Sequence, residues 1–287
     1  MTDVLERVGG ALVQHGPASD RVYVMKLRDA DPVDVLRRAE TLAAQEGYGK
    51  IIAKCPTPAV SALTAAGFEV EAEIPRLFGP TVGGAFVGKF LEPARREDPR
   101  IERIGEVLRV AEARPVDPPA PGVGLPAVID ATPSDATQIA ACYAEVFESY
   151  PFPIHDPAHI RAAMEEGTRF FAVHDAGRVV AASSMEDGGA PGAVEMTDFA
   201  TLPEHRGRGL ARRLLERMDR CAAETGVRVA FTIARALSFG MNITFSRRGY
   251  RYGGTLVNNT QIAGSLESMN VWYRHPDGSH GTSFVQP

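Results

Sequence analysis

The sequence predicts an α/β fold with a mixed sheet, and three observations predict it. Short β-rich runs alternate with amphipathic helical stretches around the middle of the chain. The helical stretches close on glycines, at Gly47, Gly67, Gly226 and Gly249. A stretch holding five prolines, "ARPVDPPAPGVGLP" at 113–126, divides the chain into two halves as a stiff, extended linker.

In the first half, 1–112, "RVYVMKL" reads as a strand at 21–27. A helix follows over about 32–46, with Asp31 as its cap, Pro32 in its first turn and Gly47 as its stop. Then come a strand at 48–54, a short helix at 57–66, the strands "EVEAEIP" and "GGAFVGKFL", and a charged helix over about 98–113. The second half, 127–287, opens with a strand at 127–130 and a helix at 133–148. A "SYPFPIHDP" loop leads to a helix at 157–166 and to strands at 169–175, 178–186 and 193–202. Beyond "HRGRGLARRLLERM" the pattern gives a strand at 227–234, a helix at 239–247 and strands at about 250–260 and 267–274.

The halves resemble each other. "VLRRAETLAAQEG" and "LLERMDRCAAETG" are helices ending at glycine, and each precedes a strand and a second helix ending in Gly67-Phe68 or Gly249-Tyr250. Carried back without a gap, Arg28 and Ala30 fall where Gly207 and Gly209 stand. The first half reads as a partial repeat that kept the scaffold and lost a glycine turn.

With 44% hydrophobic and 23% charged residues the chain has the make-up of an ordinary globular protein. A net charge of −5 argues against general nucleic-acid binding, which needs a basic footprint. No run approaches the ~18 apolar residues that span a bilayer, and "MTDVLERVGG" is acidic where a secretory signal is basic. Cys55, Cys142 and Cys221 are odd in number and widely spaced, which suits buried thiols in a reducing compartment. The expected location is the cytoplasm, with no membrane and no nucleic acid as partner; an oligomer is left open.

Gly207 and Gly209 stand where a helix is about to begin, a costly place for glycine inside a helix. A helix N-terminus offers free amides and roughly half a positive charge, and residues without a β-carbon let an anion reach them. Arg206 and Arg208 add charge there, so a phosphate group is the expected ligand. A dinucleotide fingerprint fails at Arg212, where a third glycine or alanine belongs. A P-loop at 83–90 fails because Phe90 stands where Ser or Thr must hold magnesium. His155 and His159 have helical metal spacing but Pro157 between them, so no metal is expected.

"LPEHRGRGLARRLL" resembles the acyl-CoA signature R-x-x-G-x-G/A of the GNAT N-acetyltransferases, matched by Arg206, Gly209 and Ala211. The likeness covers about 127–275 and implies a mixed-sheet GNAT acetyltransferase fold preceded by a partial GNAT-like α/β domain. Longer segments, "VFESYPFPIHDP", "GYGKIIAK" and "ARALSFGMNITFSRRGYRYGGTLVNNTQIAGSLESMNVWYR", are similar to the β-lysine N-acetyltransferases. That likeness implies acetyl-CoA as co-substrate and the terminal amine of a small diamino acid as acceptor, yielding an osmolyte.

The resemblance also implies roles for residues. The loop through Arg206, Gly207, Arg208, Gly209, Leu210 and Ala211 would hold the pyrophosphate of coenzyme A. Phe199, Ala200 and Thr201 would pair with the pantetheine arm, and Asn242 would contact the cofactor. Phe245 stands where the family usually has the tyrosine that protonates the departing thiolate; Tyr250, Tyr252 or water is then the substitute. An amine with a reference pKa of about 10.4 needs a base. The family often places one at Glu195, four residues before Phe199 on the same expected strand face, with Asp198 on the other face as the weaker candidate. Acceptor-binding candidates are Glu148, Tyr150, Asp156, Asp198, Asn258 and Glu267, with Arg235 and Asn259 as further possibilities.

Two other classes stay open at this point. "ALSFG" at 236–240 is one residue from a serine-hydrolase elbow around Ser238, with Asp277 and His275 or His280 downstream. A GNAT fold that binds acyl-CoA without turnover is the other, supported by Phe245. In the first half Asp29, Asp31 and Asp34 crowd the helix start, so no coenzyme A is expected there. That half is expected to bury a face against the second.

Overall fold

Gly9 and Gly10, both at positive φ, turn β1 (Val4–Val8) onto β2 (Ala11–Gly16). This hairpin lies upstream of the first strand the sequence predicts. Four of the five β1 residues are exposed, and of its apolar residues only Val8 packs against a core. The computed structural model describes residues 3–117, 126–262 and 264–277. After β3 (Arg21–Lys26), the Asp31 side chain accepts the Asp34 amide and caps α1 (Pro32–Glu46), which ends at Gly47 with φ 75°. β4 (Lys50–Pro56), α2 (Val60–Ala65), β5 (Glu69–Ile74), β6 (Gly84–Phe90) and α3 (Ile101–Glu112) complete the first half.

The second half runs β7 (Val128–Asp130), α4 (Ala136–Val146), α5 (Pro157–Glu165), β8 (Arg169–Asp175), β9 (Arg178–Asp187) and β10 (Ala193–Thr201). Then follow α6 (Leu210–Glu224), β11 (Val229–Arg235), α7 (Phe239–Arg247), β12 (Arg251–Ile262) and β13 (Ser265–Arg274). The apolar stripe of α6, Leu210, Leu214 and Met218, is buried, joined by Leu215, Cys221 and Ala222.

All the described strands join one sheet, ordered β1-β2-β3-β4-β6-β5-β12-β13-β11-β10-β9-β8-β7. The order β2-β3-β4-β6-β5 in the first half matches β9-β10-β11-β13-β12 in the second. In each half only the second and third of those strands, β3/β4 and β10/β11, pair in parallel. The halves meet where β5 meets β12, Ala72 opposite Gly254. A β-carbon on Gly254 would lie 2.6 Å from the Ala72 Cα, and its φ is 139°, so only glycine permits this junction. Of the 113–126 stretch, residues 118–125 lie outside those described.

One core lies under α1 and α2, and a larger one packs α4, α5, α6 and α7 against the second half of the sheet. A third cluster joins Tyr23, Ile52 and Phe86 to Phe231, Met269 and Val271, residues far apart in strand order. The sheet therefore curls until the two halves face each other, with the Phe86 and Phe231 rings 6.4 Å apart. Cys55, Cys142 and Cys221 are free, buried thiols.

Candidate active site

Two irregularities in β10 build the site. Its parallel ladder with β11 holds only Ala193, Val194 and Glu195 against Val229, Ala230 and Phe231. Beyond that the strands part, leaving two backbone edges free to pair with a ligand. On its other edge β10 carries a bulge: Thr197 faces Ser184 and Ala200 faces Ala182, with Asp198 at φ 56° taking up the extra residue. The bulge reverses the alternation. Glu195 and Phe199 therefore point to opposite faces, where an uninterrupted strand would put them on one.

A cleft of about 670 Å³ opens through the parted strands. On the α6 side it is walled by Arg206, Gly207, Gly209, Leu210, Ala211 and Arg212, with Met241, Thr244 and Phe245 from α7. Gly207 and Gly209 have φ of 77° and 74°, and a β-carbon on either would meet nothing within 4 Å. They are needed for backbone shape, and the space above them is open. Gly209 caps α6 with no side-chain hydrogen bond, so the first-turn amides face the cleft for an anion. The Arg206 Nε donates to the Thr201 carbonyl at 3.3 Å. Arg208 pairs with Asp175 at 3.2 Å and with His205, and is not among the residues that line the cleft. Arg212, which the signature did not single out, takes its place and is held by Asp117.

Opposite the glycine turn the wall is Phe147, Tyr150, Thr197 and Asp198, with Ile233, Arg235 and Met269. The Asp198 carboxylate accepts from the Ser184 hydroxyl at 2.6 Å and the Tyr150 hydroxyl at 2.7 Å. Burial raises its pKa, and those two donors pull against the rise. Glu186 sits directly across from Glu195 in the β9/β10 ladder. Burial, then Asp198 and Glu195, push the Glu186 pKa up to about 8. Burial also raises Glu195, opposed first by Lys54 from β4. Asp198, expected to be the weaker base on the opposite face, is thus the carboxylate in the cleft, while Glu195 lies off its wall.

Several expected site residues have other work. The Tyr250 hydroxyl is buried against Asp219 at 2.9 Å, beside Arg248 and Arg274, and is not among the residues that line the cleft. Asn242 is fully buried and spent: Nδ2 donates to the Arg235 and Ser238 carbonyls, and Oδ1 accepts from Asn270 and Trp272. These four hydrogen bonds tie α7 to the sheet. Asn258 donates to the carbonyls of Arg95 and Glu97 and is not among the residues that line the cleft. Asp156 caps α5, and Glu148 is exposed near Gly264. Glu267 grips Arg235 in a two-pronged ion pair at 2.6 and 2.7 Å; only the arginine lines the cleft. Ala200 is buried between Phe199 and Thr201, which do line it.

Phe245 meets Phe199 edge-on at 5.5 Å, forming an apolar wall at the parting of the strands. Ser238 accepts the Met241 amide as the cap of α7, His275 faces the Arg228 carbonyl, and Asp277 pairs with Arg76. No hydrolase triad assembles among Ser238, His275 and Asp277, and His280 lies outside the described residues. Thr197, Thr232 and Ile233 also line the cleft. Their only sequence signal is position on the two strands that part, which a pattern of residues does not reveal.

An acetyltransferase (GNAT) domain model matches residues 166–265. A β-lysine N(6)-acetyltransferase of Methanococcus maripaludis is 34% identical over 274 residues, covering 96% of this chain and 99% of that one. The N-acetyltransferase YodP of Bacillus subtilis is 41% identical over 48% of this chain and 50% of its own. A β-lysine N(6)-acetyltransferase of Methanosarcina mazei is 34% identical over 50% of this chain and 53% of its own.

Proposed function

The chain belongs to the β-lysine N(6)-acetyltransferases within the GNAT acetyltransferases, and on that footing we propose that it moves the acetyl group of acetyl-CoA to the terminal amine of β-lysine, 3,6-diaminohexanoate. The observation that carries this is the full-length relationship. The cleft supports it, because it joins an anion-binding helix start on one side of the sheet to a carboxylate on the other.

The α6 amides and Arg206 hold the pyrophosphate, and Arg212 stands beside them. The open edge of β10 from Phe199 to Thr201 lies along the pantetheine arm. Bound acetyl-CoA supplies the thioester. Asp198 takes the proton from the terminal ammonium, and Tyr150 and Ser184 hold its carboxylate in place. The freed nitrogen bonds to the acetyl carbon, the carbon–sulfur bond breaks, the thiolate leaves with its electron pair, and the nitrogen sheds its surplus proton to water to give the amide. A thiol has a reference pKa of about 8.5, so departure as thiolate needs no acid. That suits a site walled by Phe245 and Phe199.

The first half serves as a degenerate copy without a cofactor site. Its matching helix start is capped by Asp31 and carries Asp34, which repel an anion. Among the described residues no helix is long and apolar enough to cross a membrane; a cytoplasmic site and an osmolyte product complete the reading.

Mass spectrometry of purified protein with acetyl-CoA and β-lysine, lysine or ornithine tests it. The expected product is β-lysine acetylated once, at N6. Acetyl-CoA binding without coenzyme A release from any acceptor would make the chain a binding module instead.

A further inference from the structure

Lys54 is 4% exposed and makes no hydrogen bond or ion pair with any described residue. Its ammonium lies 4.7 Å from the centre of the Phe231 ring and 5.8 Å from that of Phe86. Phe231 is the residue directly across from Glu195 in the β10/β11 ladder, and adjacent strands lie about 4.8 Å apart. Its stem passes the turn after β9, where a β-carbon on Gly189 would meet the Lys54 Cε at 3.4 Å. Glu195 likewise has no hydrogen-bond or ion-pair partner among the described residues. A buried cation from the first half and a carboxylate from the second thus both stand at Phe231 without pairing with each other.

We propose that Lys54 and Glu195 form a clamp for the zwitterionic end of the acceptor: Lys54 binds its carboxylate, and Glu195, with Glu186 beside it, binds the ammonium on C3. The proposal rests on the reading of the acceptor as β-lysine. Asp198 is three residues from Glu195, about 10 Å along a strand at most, a span a six-carbon chain bridges to place its terminal amine in the cleft. Burial lowers the Lys54 pKa and Glu195 opposes the drop, so a bound carboxylate favours the charged lysine. Lys26, paired with Asp187 at 3.0 Å, stands at the outer edge and stays committed to that partner. The clamp gives the first half a reason to remain: it holds no cofactor but completes the acceptor site.

The test uses the full-length enzyme, saturating acetyl-CoA and three acceptors with the same terminal amine. These are β-lysine, 6-aminohexanoate, which lacks the C3 amine, and 1,4-diaminopentane, which lacks the carboxylate. Lys54→Met should raise KM for β-lysine about tenfold or more and leave kcat/KM for 1,4-diaminopentane within about twofold. Glu195→Gln should penalise β-lysine and spare 6-aminohexanoate. An equal loss on all acceptors in either variant would overturn the clamp. Should Lys54→Met fail to fold, the wild type decides alone: a preference for β-lysine over 1,4-diaminopentane below about threefold overturns it. Turnover of none of the three by the wild type would overturn the substrate reading as well; turnover with no discrimination overturns only the clamp.

Discussion

Glu195 and Phe231 form the last rung at which β10 and β11 are paired. The cleft opens just beyond that rung. There the strands part, the bulge puts Asp198 on the cleft wall, and Lys54 lies over the Phe231 ring from the other half.

The glycine turn should be intolerant of a branched side chain. At Gly209, φ is 74°, a region costing an ordinary residue about 1–2 kcal/mol and a β-branched one more. Gly209→Val should therefore re-aim the first turn of α6 and weaken acetyl-CoA binding at least about tenfold. Calorimetric titration of the folded variant checks this; unchanged affinity would mean that the amides do not hold the cofactor.

Asp198→Asn is the cleanest test of the base. Asparagine accepts the left-handed backbone that the bulge imposes, so the fold is kept while the proton acceptor is lost. The expected effect is a kcat lower by about 10²–10⁴ with acetyl-CoA affinity nearly unchanged. Steady-state rates and a binding titration on one preparation read both. A loss below tenfold would return the role to Glu195.

Asn242→Ala should act on stability. The substitution strands the buried Trp272 and Asn270 donors and two carbonyls, at a cost of about 3–5 kcal/mol. Urea unfolding should show that loss. A raised KM for acetyl-CoA with unchanged unfolding would restore a cofactor contact.

Glu186 makes stability depend on pH. Its pKa rises from 4.5 to about 8 on folding, so the folded state holds the proton more tightly than the unfolded chain. Its contribution is full below pH 4.5 and is lost as the pH rises through 8. Glu186→Gln removes the titration, so the variant should be more stable than the wild type above pH 8 by a few degrees in Tm. Parallel melting curves for the two proteins between pH 4.5 and pH 9 would refute it.

Tyr250→Phe should lower stability by about 1 kcal/mol, the worth of one buried hydrogen bond, through loss of the contact to Asp219. kcat should change less than about twofold. A large kcat effect at high pH would bring back a tyrosine acid.

Sequence alone was enough for the order of strands and helices from β3 onward, the cap at Asp31, the stop at Gly47 and the glycine turn before α6. These are local matters: side-chain period, cap chemistry and positive φ are written in neighbouring residues. It also held the repeat, since like patterns gave the same strand order in both halves. Only the tertiary structure decided which groups meet. One inserted residue in β10 reverses the faces on which Glu195 and Phe199 stand, and alternation counted along the chain has no sign of it. Whether Asn242 binds a ligand depends on whether Asn270 and Trp272 have already taken its oxygen. Lys54 reaches Phe231 only because the sheet curls back on itself, which is settled by burial of the apolar faces between the halves and by no short motif.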